Sequence, residues 1–207
     1  MHTREGRPSL ADGIALGLIA TGAVSVGIGA IAAVASAASE IFGAAPTALM
    51  PVRDVELTAL DGVSGVSAAT VDSALVTVPA MPTAARWMLL LEVALPALAT
   101  VALCAGVWWL GVSLIRSRPF RSSLGWMFAL AACLMIAGSL FGQLAGGVGR
   151  AIIVQDLATV DPQVEDVLWT LLVQFDLAPV GWAFALALVA ALFEIGRRLQ
   201  RDTEGLV

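Results

Sequence analysis

Four stretches of this chain run without a charged side chain, or with a single one, for about the thickness of a bilayer, and this limits the folds open to it. The first is the 27 residues from Gly13 to Ser39, between Asp12 and Glu40; the second lies between Arg86 and Arg116, with Glu92 its sole charge. The third runs from Ser122 to Gly149, and the fourth from Leu177 to Phe193, reaching the interface around Gly196. A charge at the centre of a bilayer costs about 2.5–3.5 kcal/mol even on the lenient insertion scale, and about 20 apolar helical residues cross ~30 Å of hydrocarbon. Hydrophobic residues make up 59% of the 207 and charged residues 13%, with a mean hydropathy of +0.91. A soluble domain carries roughly 45–50% apolar and about 25% charged residues, so the excess belongs against lipid.

The expected fold is therefore membrane, mainly α. It is a four-transmembrane-helix bundle with a small extracytoplasmic antiparallel β cap and one outer amphipathic helix. The chain reads as one membrane domain over residues 1–207, with spans at 13–39, 87–115, 124–149 and 177–196. Outer segments fall at 44–84 and 150–176, a cytoplasmic turn at 116–123 and a cytoplasmic tail at 197–207. Arg4 and Arg7 precede the first span and Ala35-Ser36-Ala37 resembles a cleavage site, but an apolar run of 27 residues exceeds the ~7–15 of a signal peptide. It reads as an uncleaved helix.

Arginine placement orients the spans. Arg4, Arg7, Arg116, Arg118, Arg121, Arg197, Arg198 and Arg201 fall on the side that four spans give to both termini; set against five acids, these eight give +3. The opposite side holds three Arg and ten acids, or −7, so by the positive-inside rule it is the outer face and both termini are cytoplasmic.

Two outer segments carry local signals. Val55 to Leu60 leads into Asp61-Gly62, followed by a β-rich run from Val63 to Val78, which predicts a hairpin in a sheet of two to four strands ended by Pro79 and Pro82. Asp161-Pro162 resembles an N-cap and N1 pair, and Val164, Val167, Leu168, Leu171, Leu172 and Phe175 recur at helical spacing. These predict an amphipathic helix, packed under the β cap or lying in the outer headgroup layer.

Chemistry-bearing residues are few. His2 is the sole histidine and there is no lysine, which removes histidine triads, histidine zinc sites, lysine nucleophiles and P-loops. Cys104 and Cys133 lie in uncharged runs and read as thiols in helix or lipid contacts. No cofactor is implied, and a net charge of −5 argues against nucleic acid. The acid groups Asp54/Glu56/Asp61 and Asp156/Asp161/Glu165/Asp166 are better read as a solvated acidic face than as a cation site. Glu92, four residues before Pro96, forms with Gln143 a candidate intramembrane polar site. It is either a structural carboxyl, paired with Gln143, Arg150 or Arg53, or an ion- or proton-coupling group. Gly138, Gly142 and Gly146 in the third span, and Gly13 and Gly17 in the first, give smooth faces for helix packing within the chain or for a homo-oligomer. On the cytoplasmic side, Arg116, Arg118, Pro119, Phe120 and Arg121, with Arg198, Leu199, Asp202, Gly205, Leu206 and Val207, could meet anionic lipid headgroups or a regulator protein.

The turn Ser117-Arg118-Pro119-Phe120 and the ending from Phe193 through Arg197-Arg198-Leu199-Gln200-Arg201-Asp202-Thr203-Glu204-Gly205 to Leu206-Val207 resemble a bacterial four-helix membrane family catalogued as domain-of-unknown-function family 2975. Its members join spans 2 and 3 through a short Pro-Phe turn and close on a glycine, a leucine and an acidic residue. Arg121-Ser122-Ser123 departs from the asparagine that usually follows that turn. The resemblance implies a fold and a location in the bacterial cytoplasmic membrane, with no established activity. Members are often encoded beside a small helix-turn-helix regulator, which implies a membrane component of a regulatory pair with the C-terminal tail as a contact. The residues thus favour a non-enzymatic sensing or interaction protein, with a small oligomeric transporter or channel subunit using Glu92 as the alternative.

Overall fold

The computed structural model describes residues 10–56, 70–115 and 122–204. In chain order these form α1 (Leu10–Ile41), β1 (Thr47–Glu56), β2 (Thr70–Thr77), α2 (Thr83–Ile115), α3 (Ser122–Ala158), α4 (Val164–Val167) and α5 (Ala178–Glu204). Four of the helices are long and apolar enough to cross a membrane, over Gly17–Ile41, Thr83–Ser113, Trp126–Ala158 and Ala178–Gly196. The chain divides into two compact units, one of residues 1–33, 95–139 and 176–207, the other of residues 34–94 and 140–175.

In the first unit, large apolar side chains such as Leu18, Leu98, Trp126 and Phe184 stay exposed while the small Ala99, Ala131, Ala132 and Ala183 are buried. Small residues inside and large ones outside is the pattern of helices solvated by lipid, where close backbone approach replaces the hydrophobic effect as the source of cohesion. Gly138 shows the approach directly: a Cβ there would lie 2.8 Å from the Leu95 carbonyl oxygen of α2 and 3.5 Å from Ala99 Cβ. Gly27 of α1 packs on Cys104 at 3.5 Å in the same sense, whereas Gly17 has nothing within 4 Å. Both Cys104 and Cys133 are free thiols.

The second unit has the apolar core. Strands β1 and β2 pair antiparallel from Thr47↔Thr77 to Pro51↔Ser73, then resume at Val55↔Val71 after a bulge. Ala48, Met50 and Val52 of β1 are buried against Ala85 and Leu89 of α2 and Ile153 and Val154 of α3, with Met50, Ile153 and Val154 all but inaccessible. The bulge tightens the local twist. It leaves Val52 free to pair with Leu168 in an isolated antiparallel bridge, and the Trp169 N–H donates to the Pro51 carbonyl at 3.3 Å. Proline has no N–H to offer at such an edge, so Pro51 needs only this acceptor contact.

Several boundaries differ from the sequence reading. Helix α3 does not end at Gly149 but continues to Ala158, because Ile153 and Val154 are core residues of the β-containing unit. Charge marks where lipid ends, and a helix is free to run on beyond it. Helix α5 likewise extends through the expected tail to Glu204. The sheet has two strands, and β1 starts at Thr47, well before Val55; the Asp61-Gly62 turn lies outside the described residues.

The predicted amphipathic helix at 161–175 is corrected: only the single turn Val164–Val167 is helical, its N-cap is Gln163, and Asp161 Oδ1 accepts the Gln163 N–H at 3.0 Å. At Leu168 the backbone turns extended: its N–H closes the turn on the Val164 carbonyl at 2.8 Å while the residue bridges to Val52 at the edge of β1, and Leu171 and Phe175 of the expected stripe are exposed.

Substituting Gly138 by Ala is expected to lower stability by about 1–3 kcal/mol through overpacking against the α2 backbone, whereas Gly17→Ala should be neutral or stabilising by up to ~1 kcal/mol. Thermal unfolding followed by circular dichroism in detergent distinguishes the two; equal effects would show that α3 does not depend on this contact.

Candidate functional site

The polar residues of the second unit converge on one ion pair. Glu92 stands ten residues into α2 and Arg150 lies on α3 just after the glycine-rich run. Arg150 Nη2 donates to Glu92 Oε1 at 2.7 Å and to Oε2 at 2.9 Å, and its Nε donates to the Leu49 carbonyl of β1 at 2.9 Å. One guanidinium thus joins α2, α3 and β1. Both side chains are mostly shielded, at 22% exposure for Arg150 and 27% for Glu92. Charge-assisted bonds of this kind contribute roughly 1.5–3 kcal/mol each where solvent is excluded, and the residual exposure puts this pair toward the lower end.

Local sequence explains why the pair forms. Gly146 sits one helical turn before Arg150, and a Cβ there would fall on the Glu92 carboxyl carbon and both of its oxygens. Its missing side chain is the seat of the carboxylate. At Gly149 a Cβ would stand 3.1 Å from Met88 Cβ and 3.3 Å from the Ala85 carbonyl, so α2 lies close along this stretch of α3. Gly147 faces Val173 in the same way, which lets the irregular 168–175 segment come down on α3.

The pair borders a cavity of about 130 Å³. Glu92, Arg150, Gln143, Ser73 and Gln174 supply its polar lining, and Leu49, Pro51 and Leu172 its apolar lining. Gln143 and Glu92, paired in the sequence reading, therefore share one cavity. Arg150, raised there as a partner for Glu92, is the group that binds it. Arg53 is engaged elsewhere, its guanidinium carbon 4.6 Å from the centre of the Trp169 ring and its Nε buried with no hydrogen-bond partner. A cation over an indole face contributes on the order of 0.5–2 kcal/mol. Ser73 and Gln174 were not singled out from sequence, since a serine in a strand and a glutamine in an irregular segment carry no periodic signal.

The remaining predicted sites are spread out. Gly142 is a buried position of α3, and Gly13 lies within α1. Arg198, Leu199 and Asp202 belong to α5. Arg116, Arg118, Pro119, Phe120, Arg121, Gly205, Leu206 and Val207 lie outside the described residues. Among the described residues, no group of three His, Cys, Asp or Glu side chains converges as a metal site. Comparison with known proteins gave no match, whether to a family model, a curated protein or a solved structure.

Arg150→Leu is expected to destabilise more than Glu92→Ala, because it strands both the carboxylate and the Leu49 carbonyl; about 2–4 kcal/mol against 1–3 kcal/mol follows from loss of one partner of a shielded pair. Gly146→Ala should cost little further in a Glu92→Ala background, since the group it displaces has gone. Chemical unfolding in detergent measures that cycle, and simple additivity would refute the assigned role of Gly146.

Proposed function

We propose that this protein is a non-enzymatic, multi-pass component of a bacterial cytoplasmic membrane, with both termini in the cytoplasm and the β-containing unit on the outer side. In this role it senses or binds outside and signals through its arginine-rich inner segments to a cytoplasmic regulator protein. The observation that carries this is the use made of its polar residues. The one acidic side chain of the second span is taken up by Arg150, which is itself tied to the β1 backbone, and this is how a rigid recognition unit is built and not how a conduit for ions is.

Dimensions support it. The charge-free run of α2 from Val93 to Ile115 has 23 residues, or ~35 Å of helix, so α2 crosses the hydrocarbon without placing Glu92 in it. Its full 33 residues, ~50 Å, leave an end to stand in the headgroups and beyond. Trp87 and Phe42, in edge-on contact with centroids 5.1 Å apart, are the aromatics expected at that border. The charge difference between the two sides supports the orientation, and the resemblance of the Pro-Phe turn and closing tail to family 2975 supports a cytoplasmic partner.

In a background lacking Cys104 and Cys133, a cysteine introduced by Gln174→Cys should react with a membrane-impermeant maleimide on intact cells, and one introduced by Thr203→Cys only after lysis; the reverse would invert the topology. Crosslinking the tagged protein in its native membrane, followed by mass spectrometry, should then capture a cytoplasmic protein that is lost on deleting residues 198–207. Capture unaffected by the deletion would remove the tail from the contact.

A further inference from the structure

We propose that the cavity beside Glu92 and Arg150 is a binding site for a small zwitterion, a free α-amino acid with a short side chain. The cavity sets an anion and a cation side by side, 2.7 Å apart at the nearest atoms. An isolated anion placed there would be repelled by Glu92 and an isolated cation by Arg150, while an uncharged polar solute would gain hydrogen bonds but no charge–charge attraction from either. A ligand with an ammonium and a carboxylate on neighbouring atoms is attracted to both, its dipole lying antiparallel to that of the pair.

Donor and acceptor counts agree. Arg150 engages protein through Nε and Nη2, which leaves the two N–H groups of Nη1 to donate to a carboxylate. The Ser73 hydroxyl and the Gln174 amide, on exposed residues at the rim, can donate to the same group. Each Glu92 oxygen receives one bond from Arg150 and has a further lone pair for an ammonium. Leu172 offers apolar surface to a short side chain. A space of about 130 Å³ corresponds to roughly four waters at ~30 Å³ each, which suits glycine or alanine.

The site lies within one compact unit, where a ligand bridging α2, α3, β2 and the 172–174 segment would stiffen it. It supplies the sensing function proposed above with a signal and relies on that function only for its biological meaning. The binding itself is tested on the purified full-length chain in detergent, with no partner present, so its outcome is separate from that of the crosslinking experiment.

Glycine and L-alanine are titrated while thermal unfolding is followed, with acetate and methylammonium as single-charge controls at matched ionic strength. The expected result is a rise in Tm of roughly 2–4 °C with either amino acid at concentrations well above Kd, and none with the controls. Ser73→Trp, which fills the cavity and leaves the ion pair in place, should abolish the rise; Gln174→Ala, a truncation of an exposed side chain, should weaken binding at least threefold. No shift with either amino acid, an equal shift with acetate, or an undiminished response in both variants would overturn the proposal. If Ser73→Trp does not fold, the response of Gln174→Ala alone decides between them.

Discussion

Everything in the β-containing unit leans on the guanidinium of Arg150. Two paired antiparallel strands are marginal by themselves in water, and these two gain a core only because α2 and α3 pack against them. The side chain of Arg150 is the polar part of that join. It neutralises the one acid of the second span, ends on a β1 carbonyl that would otherwise lack a donor, and does so from a helix whose preceding turn carries no Cβ to block it. The apolar part is Met50 against Ile153 and Val154, which shuts out enough solvent for the ion pair to matter.

The glycines of α3 serve three different purposes along one helix. At Gly138 the absent side chain admits backbone, the carbonyl of Leu95. At Gly146 it admits a charged group, and at Gly147 the branched side chain of Val173. A four-residue repeat in an apolar helix thus cannot be assigned a single partner from spacing alone, since a smooth face accepts whatever chemistry its neighbour presents.

Much of the architecture was legible in the sequence, because the energetic rule behind it is severe. Charges are costly in hydrocarbon, so the gaps Asp12 to Glu40, Arg86 to Arg116, Arg121 to Arg150 and Asp176 to Glu194, interrupted only by Glu92, mark the four helices long and apolar enough to span. The same rule misplaced the end of α3: Arg150 ends the charge-free run, but the helix continues to Ala158. At 161–175 the pattern of Val164, Leu168 and Leu172 fits a helix and fits equally well a single turn followed by an irregular segment. What decided between them was the open edge of β1 at Pro51 and Val52, more than a hundred residues away. Glu92 and Gln143 were conspicuous as polar residues in apolar runs, while Ser73 and Gln174 acquire meaning only from the fold that brings them beside that pair.

The span of sequence between Leu49 and Arg150 carries a consequence for how the protein is made. These two residues are 101 positions apart, and at the usual ~5–20 residues per second of synthesis Leu49 is made roughly 5–20 s before the arginine that bonds its carbonyl. Met50 waits as long for Ile153 and Val154. Both strands are thus made before the part of α3 they are to rest on, so the apolar core behind the sheet closes only once Ile153 and Val154 exist, and synthesis of the end of α3 becomes the step that times the folding of two strands begun a hundred residues earlier.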